Sequence, residues 1–533
     1  MNILRPFVAA SALATALSVS AAEQASVATK PTALKDLTAQ LVELKQRVQQ
    51  LEAALSAQSQ ATAATTPASA PTATSSPALA QKVAAIERKL EVQAEESIAN
   101  RIKMPQVALG DKGLAVTTPD GNFEMKLRGY VQFDSRFWLA DNHDDDTNSF
   151  LFRRVRPIIE GTVYKNFYYR LMADFASNAV TLQDGYGEWR QFPFARLGFG
   201  KMKSPVGLEQ LASAAELEFV ERGLPRNLVP NRDFGVQLTG DLFGERLNYT
   251  VGVFNGVPDL ASIGASDTND DKDFVGRLFA LPFKSWYGPL QGLGIGISGT
   301  YGKEEFSLAA SAVTPNLASY VTPGQQRFFR YRTTSAATGV TGVDGKTVSV
   351  PLVTVLANTT VADGSRYRVM PQAYWYWRQF GLFGETVESG QEVAFGAHRD
   401  TLANDAWQLQ GFWVLTGEDA TYRGVKPRRD FDPSAGAWGA WELVARYSDL
   451  QIDKDAFRGV TATGAGTAFA DPRQSASRAS AWALGLNWYL NRNFKVNLDY
   501  ENTWFNGGGG GSVRVPLDRE TERVFLTRFQ IAY

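Results

Sequence analysis

The last stretch of the chain strongly constrains the fold, because it alternates between two kinds of side chain. Phe525, Thr527, Phe529, Ile531 and Tyr533 occupy every second position, and Leu526, Arg528, Gln530 and Ala532 lie between them. Side chains alternate across a β-strand, so this strand has one apolar face that ends in an aromatic residue. A strand of about ten residues with this pattern is typical of a membrane-spanning β-barrel.

The same alternation recurs upstream and predicts an all-β fold, a transmembrane antiparallel barrel of about 16 strands over residues 123–533. Counts of 14 or 18 strands, or a soluble β-sandwich with the aromatic residues in its core, are the alternatives. Sixteen strands leave an aqueous channel. The predicted strands are 123–139, 150–164, 167–176, 182–190, 195–202, 233–242, 246–254, 272–282, 293–301, 366–378, 381–389, 404–415, 440–451, 479–490, 494–505 and 520–533.

Long connections alternate with short turns along this series, as in outer-membrane barrels of Gram-negative bacteria, and the asymmetry predicts that both ends of the barrel face the periplasm. The segment 416–439 is an exception, because it is long where a short turn is expected. No stretch after the first residues reaches the length of about 18 apolar residues that a spanning helix needs.

Residues 1–22 have the charged start, apolar stretch and small-residue end of a secretory signal peptide, with a membrane anchor as the alternative. A seam at heptad spacing predicts a coiled coil over 23–60, or an amphipathic helix packed on another domain. An Ala/Thr/Pro linker (61–78), a second short helix (79–100) and a connector (101–122) follow. This arm is predicted to lie in the periplasm, with possible cell-wall contact. The seam residues are Leu34, Leu37, Leu41, Leu44, Val48, Leu51 and Leu55.

Composition excludes several kinds of site. The chain has no Cys, two His and a formal net charge of −1, so it has no disulfides, no thiolate metal site and no global field that attracts one sign of ion. A barrel hydrolase needs a nucleophile beside a base, but His143 and His398 both lie in predicted loops. We therefore expect no enzymatic activity, no metal or other cofactor and no nucleic-acid partner.

Basic residues indicate where selectivity could arise. The connection 203–232 carries a predicted helix over 208–221 and is expected to fold into the barrel as a constriction, with an external surface loop as the alternative. Its candidate residues are Lys201, Lys203, Arg222, Arg226 and Arg232, although Lys201 has lipid-facing parity and requires a bulge, a rim position or a subunit contact. The candidate anion pathway consists of residues with lumen parity, namely Lys126, Arg128, Arg154, Arg156, Arg170, Arg366 and Arg368.

Arginine suits phosphate because its planar fork donates two parallel charge-assisted hydrogen bonds. Carboxylates share the same lumen parity, however, so charge alone leaves a pore for general or uncharged solutes equally open. A structural tether between the outer membrane and the cell wall is a further alternative, and it depends on the coiled coil. The acidic residues with lumen parity are Asp134, Glu160, Asp174, Glu188, Asp241, Glu442, Asp499 and Glu501.

Several stretches, in their order along the chain, resemble the phosphate-selective porins O and P. The resemblance implies a sixteen-stranded homotrimer in outer-membrane lipid that passes inorganic phosphate, polyphosphate or other small anions along an arginine ladder to a lysine cluster. It makes Arg154 and Arg156 ladder candidates and makes Lys201 and Lys203 cluster candidates. The stretches are FRRVR (152–156), DGY (184–186), GKMKSPVGLE (200–209), WQLQGFWVLTGE (407–418), GAWELVARYS (439–448) and the closing strand.

Overall fold

The computed structural model describes residues 103–139, 147–264, 270–309, 312–333, 340–341, 347–348, 352–461 and 464–533, with short helical pieces between 81 and 95. The predicted signal peptide, coiled coil and linker lie outside the described residues, as does His143. The predicted second helix is described only in those pieces. The barrel belongs to a compact unit that spans Ile98–Tyr533.

Sixteen antiparallel strands form a closed barrel, which confirms the predicted strand number. Each strand pairs with the next, and the last pairs with the first from Val524↔Trp138 to Ala532↔Tyr130. Closure leaves no unpaired strand among these sixteen, as a lipid-exposed sheet requires. The strands β1–β16 are Phe123–Trp138, Ser149–Val163, Phe167–Asp174, Thr181–Phe192, Ala195–Lys203, Arg232–Leu242, Leu247–Phe254, Asp273–Ala280, Leu293–Glu305, Thr360–Trp377, Phe380–Phe395, His398–Val414, Ala440–Gln451, Ala476–Tyr489, Phe494–Gly511 and Glu522–Ala532.

The two faces of the strands follow the alternation in the sequence. In β15, Lys495, Asn497, Asp499 and Glu501 point inward and are buried, while the intervening apolar residues lie on the outside. Aromatic side chains pack together at both ends of the outer wall, as expected at membrane interfaces. Ring pairs are Trp375–Trp377 and Phe380–Trp413 near the short turns, and Trp407–Tyr447 and Tyr447–Trp504 toward the other end.

The interior of the barrel is filled by connecting segments. Leu224 and Leu228, from the connection between β5 and β6, pack with Phe328, Phe329 and Phe469 in one apolar cluster. The smaller elements are helix Leu208–Leu211, the 3₁₀ turns Leu224–Leu228, Pro289–Gly292, Pro433–Ala435 and Lys454–Phe457, the helix Leu352–Ala357, and the short strands Ser307–Ala309, Ala312–Thr314, Tyr320–Val321, Arg327–Phe329, Val340–Thr341, Thr347–Val348 and Pro516–Asp518.

The predicted helix over 208–221 was too long. Only Leu208–Leu211 is helical, because the backbone beyond it forms hydrogen bonds with side chains of the wall instead of within a helix. The N–H of Val220, for example, donates to Asp499 Oδ2 at 2.5 Å. Tertiary contacts override helix propensity here.

Residues 101–122, predicted only as a connector, contain a β-hairpin that the sequence pattern did not predict. Its strands are Gln106–Gly110 and Gly113–Thr117, and the second pairs with β1 from Leu114↔Leu127 to Thr117↔Glu124. The guanidinium of Arg492, in the turn between β14 and β15, lies 3.0 Å from Asp111 at the tip of the hairpin. Among the described residues, no helix has the length and apolarity needed to cross a membrane.

Candidate functional site

The connection between β5 and β6, residues 204–231 and hereafter the constriction loop, lies inside the barrel and is hydrogen-bonded to its wall. Gln408 and Gln410 donate hydrogen bonds to the Glu209 carboxylate, each at 2.9 Å. Farther along the loop, Lys495 Nζ donates to Leu217 O at 2.6 Å. These residues come from β12 and β15. On the other side, Gln132 of β1 donates to Ala214 O at 2.8 Å, and cavities remain between the loop and the wall formed by β1–β6.

This position of the loop separates the charges of the lumen. Glu385, Glu442, Asp499 and Glu501 are buried on the wall that the loop covers. Glu385 accepts hydrogen bonds from the N–H groups of Leu208 and Glu209, and Asp499 accepts one from Val220. Of the acidic residues that left selectivity open in the sequence, Asp499 is thus bound by the backbone of the loop. Glu501 and Glu442 are buried beside it and accept hydrogen bonds from wall side chains, Glu501 from Arg446 and Glu442 from Tyr489.

The opposite side holds a cavity of about 490 Å³, the outer cavity, near the connection between β3 and β4. Eight basic side chains line it against one carboxylate, that of Asp174, among the described residues. A cavity so lined favours an anion, because electrostatic attraction is strong where protein walls exclude water. The basic residues are Arg136, Arg153, Arg154, Arg156, Lys203, Arg222, Arg226 and Arg232.

Arg153 is a lining residue that strand parity assigns to the lipid side. In the register of β1 with β2, Gln132 pairs with Arg154 and Phe133 pairs with Phe152, so Arg153 is the extra residue of a β-bulge. A bulge turns a side chain to the other face, and Arg153 reaches Glu221 of the constriction loop. The consecutive arginines in FRRVR were the only sequence signal for this.

The cations of the outer cavity differ in how firmly they are paired. Arg156 donates to Asp174 at 2.7 Å, and Arg222 donates to the carbonyls of Glu209 and Ala212. Burial lowers the pKa of Arg222 to about 10, which leaves it charged at neutral pH. The Arg226 guanidinium has no hydrogen bond or ion pair with any described residue. Arg226 is therefore the cation most available to a solute.

Two further cavities continue toward the short turns. The middle cavity, about 490 Å³, shares Lys203 and Arg232 with the outer cavity and is also lined by Arg128 and Arg170. The inner cavity, about 270 Å³, shares Arg128 with the middle one and reaches the turn at 491–493. Shared lining residues thus place the three cavities in succession, from the connection between β3 and β4 to the turn at 491–493.

The segment 416–439, which the sequence left without an explanation, lines this inner half. Tyr422 donates a hydrogen bond to Leu208 O of the constriction loop at 2.5 Å. Arg423 lines both the middle and the inner cavity. The segment is long on the short-turn side because it folds into the barrel and contacts the constriction loop there.

Four predicted residues lie outside the three cavities. Arg366 and Arg368 do point into the lumen, but they form ion pairs with Asp273, with Glu304 and with Asp259 of the connection between β7 and β8. Lys201 Nζ donates to Ile263 O at 2.7 Å. Lys126 pairs with Glu124 at 2.9 Å near the start of β1. The other eight predicted residues line at least one cavity.

Comparison with known proteins places this chain among porins. The family model for "Phosphate-selective porin O and P" matches residues 123–503. Porin O of Pseudomonas aeruginosa is 25% identical over 401 residues, which cover 73% of this chain and 84% of Porin O.

Two solved structures match this chain at low sequence identity. The outer-membrane channel DcaP of Acinetobacter baumannii has a TM-score of 0.46 and 10% identity, with coverage of 77% of this chain and 98% of DcaP. The anion-selective porin of Comamonas acidovorans has a TM-score of 0.43 and 10% identity, with coverage of 77% and 100%. The family match itself extends from the first barrel strand into the fifteenth, and this chain therefore belongs to the phosphate-selective porin O and P family of outer-membrane channels.

Proposed function

We propose that this porin is a passive channel for anions, with phosphate or polyphosphate as the favoured solute. The observation that carries this proposal is the outer cavity, in which eight basic side chains face one carboxylate. An anion that enters there can pass to Lys203 and Arg232, which the outer and middle cavities share, and then to Arg128 at the inner cavity.

The chemistry of the lining residues favours phosphate over chloride. A guanidinium donates two parallel hydrogen bonds to a tetrahedral oxyanion, which a spherical halide cannot accept. Each charge-assisted hydrogen bond contributes about 1.5–3 kcal/mol, so a few donors at each cavity bind phosphate with measurable affinity. Transport also requires that the solute leave, so no single cavity can bind it too tightly.

The test is a planar-bilayer recording of the purified protein. We expect a reversal potential of the sign for anion preference in a potassium chloride gradient, and dose-dependent block of the chloride current by added phosphate. Arg226→Gln should raise the half-blocking phosphate concentration by about tenfold or more, because one charge-assisted hydrogen bond is lost.

Arg399→Gln is the matched control, since its side chain is 73% exposed, pairs with Asp363 and lines none of the three cavities. Phosphate block should be unchanged in this variant. A cation-preferring wild-type pore would contradict the proposal. An anion-preferring pore that phosphate does not block would favour the general-solute alternative.

The same proposal includes a homotrimer, as the family resemblance implies. We expect the unheated protein to migrate in a mild detergent gel near three times the chain mass of 58.3 kDa, and to fall to the monomer position on boiling. Cross-linking of the detergent-solubilised protein provides the second measurement, and products that stop at the dimer would contradict a trimer.

We also place the N-terminal arm in the periplasm. This is supported by the hairpin at 106–117, whose tip contacts the turn between β14 and β15. That turn belongs to the short-turn end of the barrel, which faces the periplasm in outer-membrane proteins.

A further inference from the structure

A single carboxylate of the constriction loop, that of Glu221, lies at the centre of four arginines. Arg153 donates to it through Nε at 2.5 Å and through Nη2 at 3.2 Å. Arg136, Arg154 and Arg528 each place a guanidinium nitrogen 3.7–3.9 Å from its oxygens. The Glu221 carboxylate thus occupies the position that an anionic ligand takes in an arginine cluster.

This carboxylate stays charged. Glu221 is only 1% exposed, and burial opposes its ionisation. The guanidiniums of Arg153 and Arg154 nevertheless hold its pKa well below the usual range for a glutamate. The arginine cluster therefore contains one built-in negative charge.

Glu221 and the solute compete for the same guanidinium donors, Glu221 from the constriction loop and the solute from the outer cavity. Arg136, Arg153 and Arg154 line the outer cavity, whereas Glu221 does not. Each hydrogen bond or ion pair that these guanidiniums form with Glu221 is unavailable to an anion in the cavity. Its negative charge also repels that anion through the low-dielectric wall.

We propose that Glu221 is an internal competing anion that lowers the affinity of the outer cavity for its solute and so determines how quickly the solute leaves. The inference rests on the proposed anion channel and names a residue that sets its turnover. With arrival near 10⁹ M⁻¹s⁻¹, a dissociation constant of about 1 nM allows on the order of one exit per second, whereas 1 μM allows about 10³.

The position of the loop does not depend on this carboxylate. Arg446 Nη1 donates to the backbone carbonyl of Glu221 at 2.8 Å, and the N–H of Val220 donates to Asp499. Arg222 and Glu209 hold the neighbouring turns. Neutralising the side chain should therefore leave the constriction loop in place, which makes the charge testable on its own.

The experiment compares wild type with Glu221→Gln by phosphate titration of the chloride current. We expect the half-blocking phosphate concentration to fall about tenfold and single blocking events to last longer in E221Q, at unchanged chloride conductance in phosphate-free solution. Glu221→Asp keeps the charge and should remain near the wild-type value. Asp449→Asn removes another buried carboxylate, one bound by Arg478 outside the three cavities, and should have no effect.

The outcomes separate this inference from the proposed function. If phosphate blocks wild type and E221Q equally, or blocks E221Q more weakly, the inference is overturned while the anion channel stands. A larger chloride conductance in E221Q, with weaker block, would likewise overturn it, because Glu221 would then only hold the loop. If phosphate blocks neither protein, the proposed function fails and the inference fails with it.

Discussion

Replacement of residues 204–231 by an Asn-Gly turn should raise the single-channel conductance severalfold and shift the charge preference of the pore from anions toward cations. Lys203 and Arg232 are register partners in the pairing of β5 with β6, so a two-residue hairpin turn can join the strands without changing the barrel. Without the loop, the outer and middle cavities merge into the open channel of a sixteen-stranded barrel.

The expected shift toward cations follows from the acidic residues that the loop covers. Its removal deletes Arg222 and Arg226 and exposes a wall that carries Glu385, Glu442, Asp499 and Glu501. Reversal potentials in a salt gradient measure the charge preference. Arg226→Gln is the control, because it removes one positive charge while the loop still narrows the pore. A deletion variant with wild-type conductance would show that the loop does not form the constriction.

Arg528→Leu is expected to destabilise the barrel by about 3–5 kcal/mol, because it leaves a buried carboxylate without its partner. Arg528 donates from Nε and Nη2 to the two oxygens of Asp134, each at 2.7 Å, and Asp134 is 0% exposed. The two residues face each other across the seam between β16 and β1 that closes the barrel. Urea unfolding of the detergent-solubilised protein measures the loss of stability.

Two further variants test the mechanism. Arg528→Leu combined with Asp134→Leu removes both charges and should recover most of the lost stability. Arg492→Leu breaks an exposed ion pair with Asp111 and should leave the stability nearly unchanged. Equal losses in R528L and R492L would mean that burial of the seam pair contributes nothing.

The strands were predictable because their pattern is local. Alternation with a period of two reports which side of a strand is wet, and the inward residues of β15 lie where the pattern placed them. The order of long and short connections was also predictable from the sequence, because it follows from the spacing of the strands. Strand ends were less accurate: β10, for example, begins at Thr360 instead of 366, because the strand continues beyond its alternating part.

The lining of the channel was harder to predict, since it depends on pairs of elements that are distant in sequence. Arg153 enters the lumen through a bulge that exists only in the register of β1 with β2. Arg366 and Arg368 have lumen parity as expected, but Asp259 and Asp273 neutralise them. No periodicity distinguishes a lumen arginine that faces a carboxylate from one that faces water.

By itself, the sequence determined a membrane barrel of sixteen strands, its inward and outward faces, and a long basic connection in the right place to narrow it. Only the tertiary structure decided the sign of the channel lining. Backbone N–H groups of the constriction loop bind Glu385 and Asp499, because buried carboxylates need hydrogen-bond donors. Eight basic side chains remain around the outer cavity.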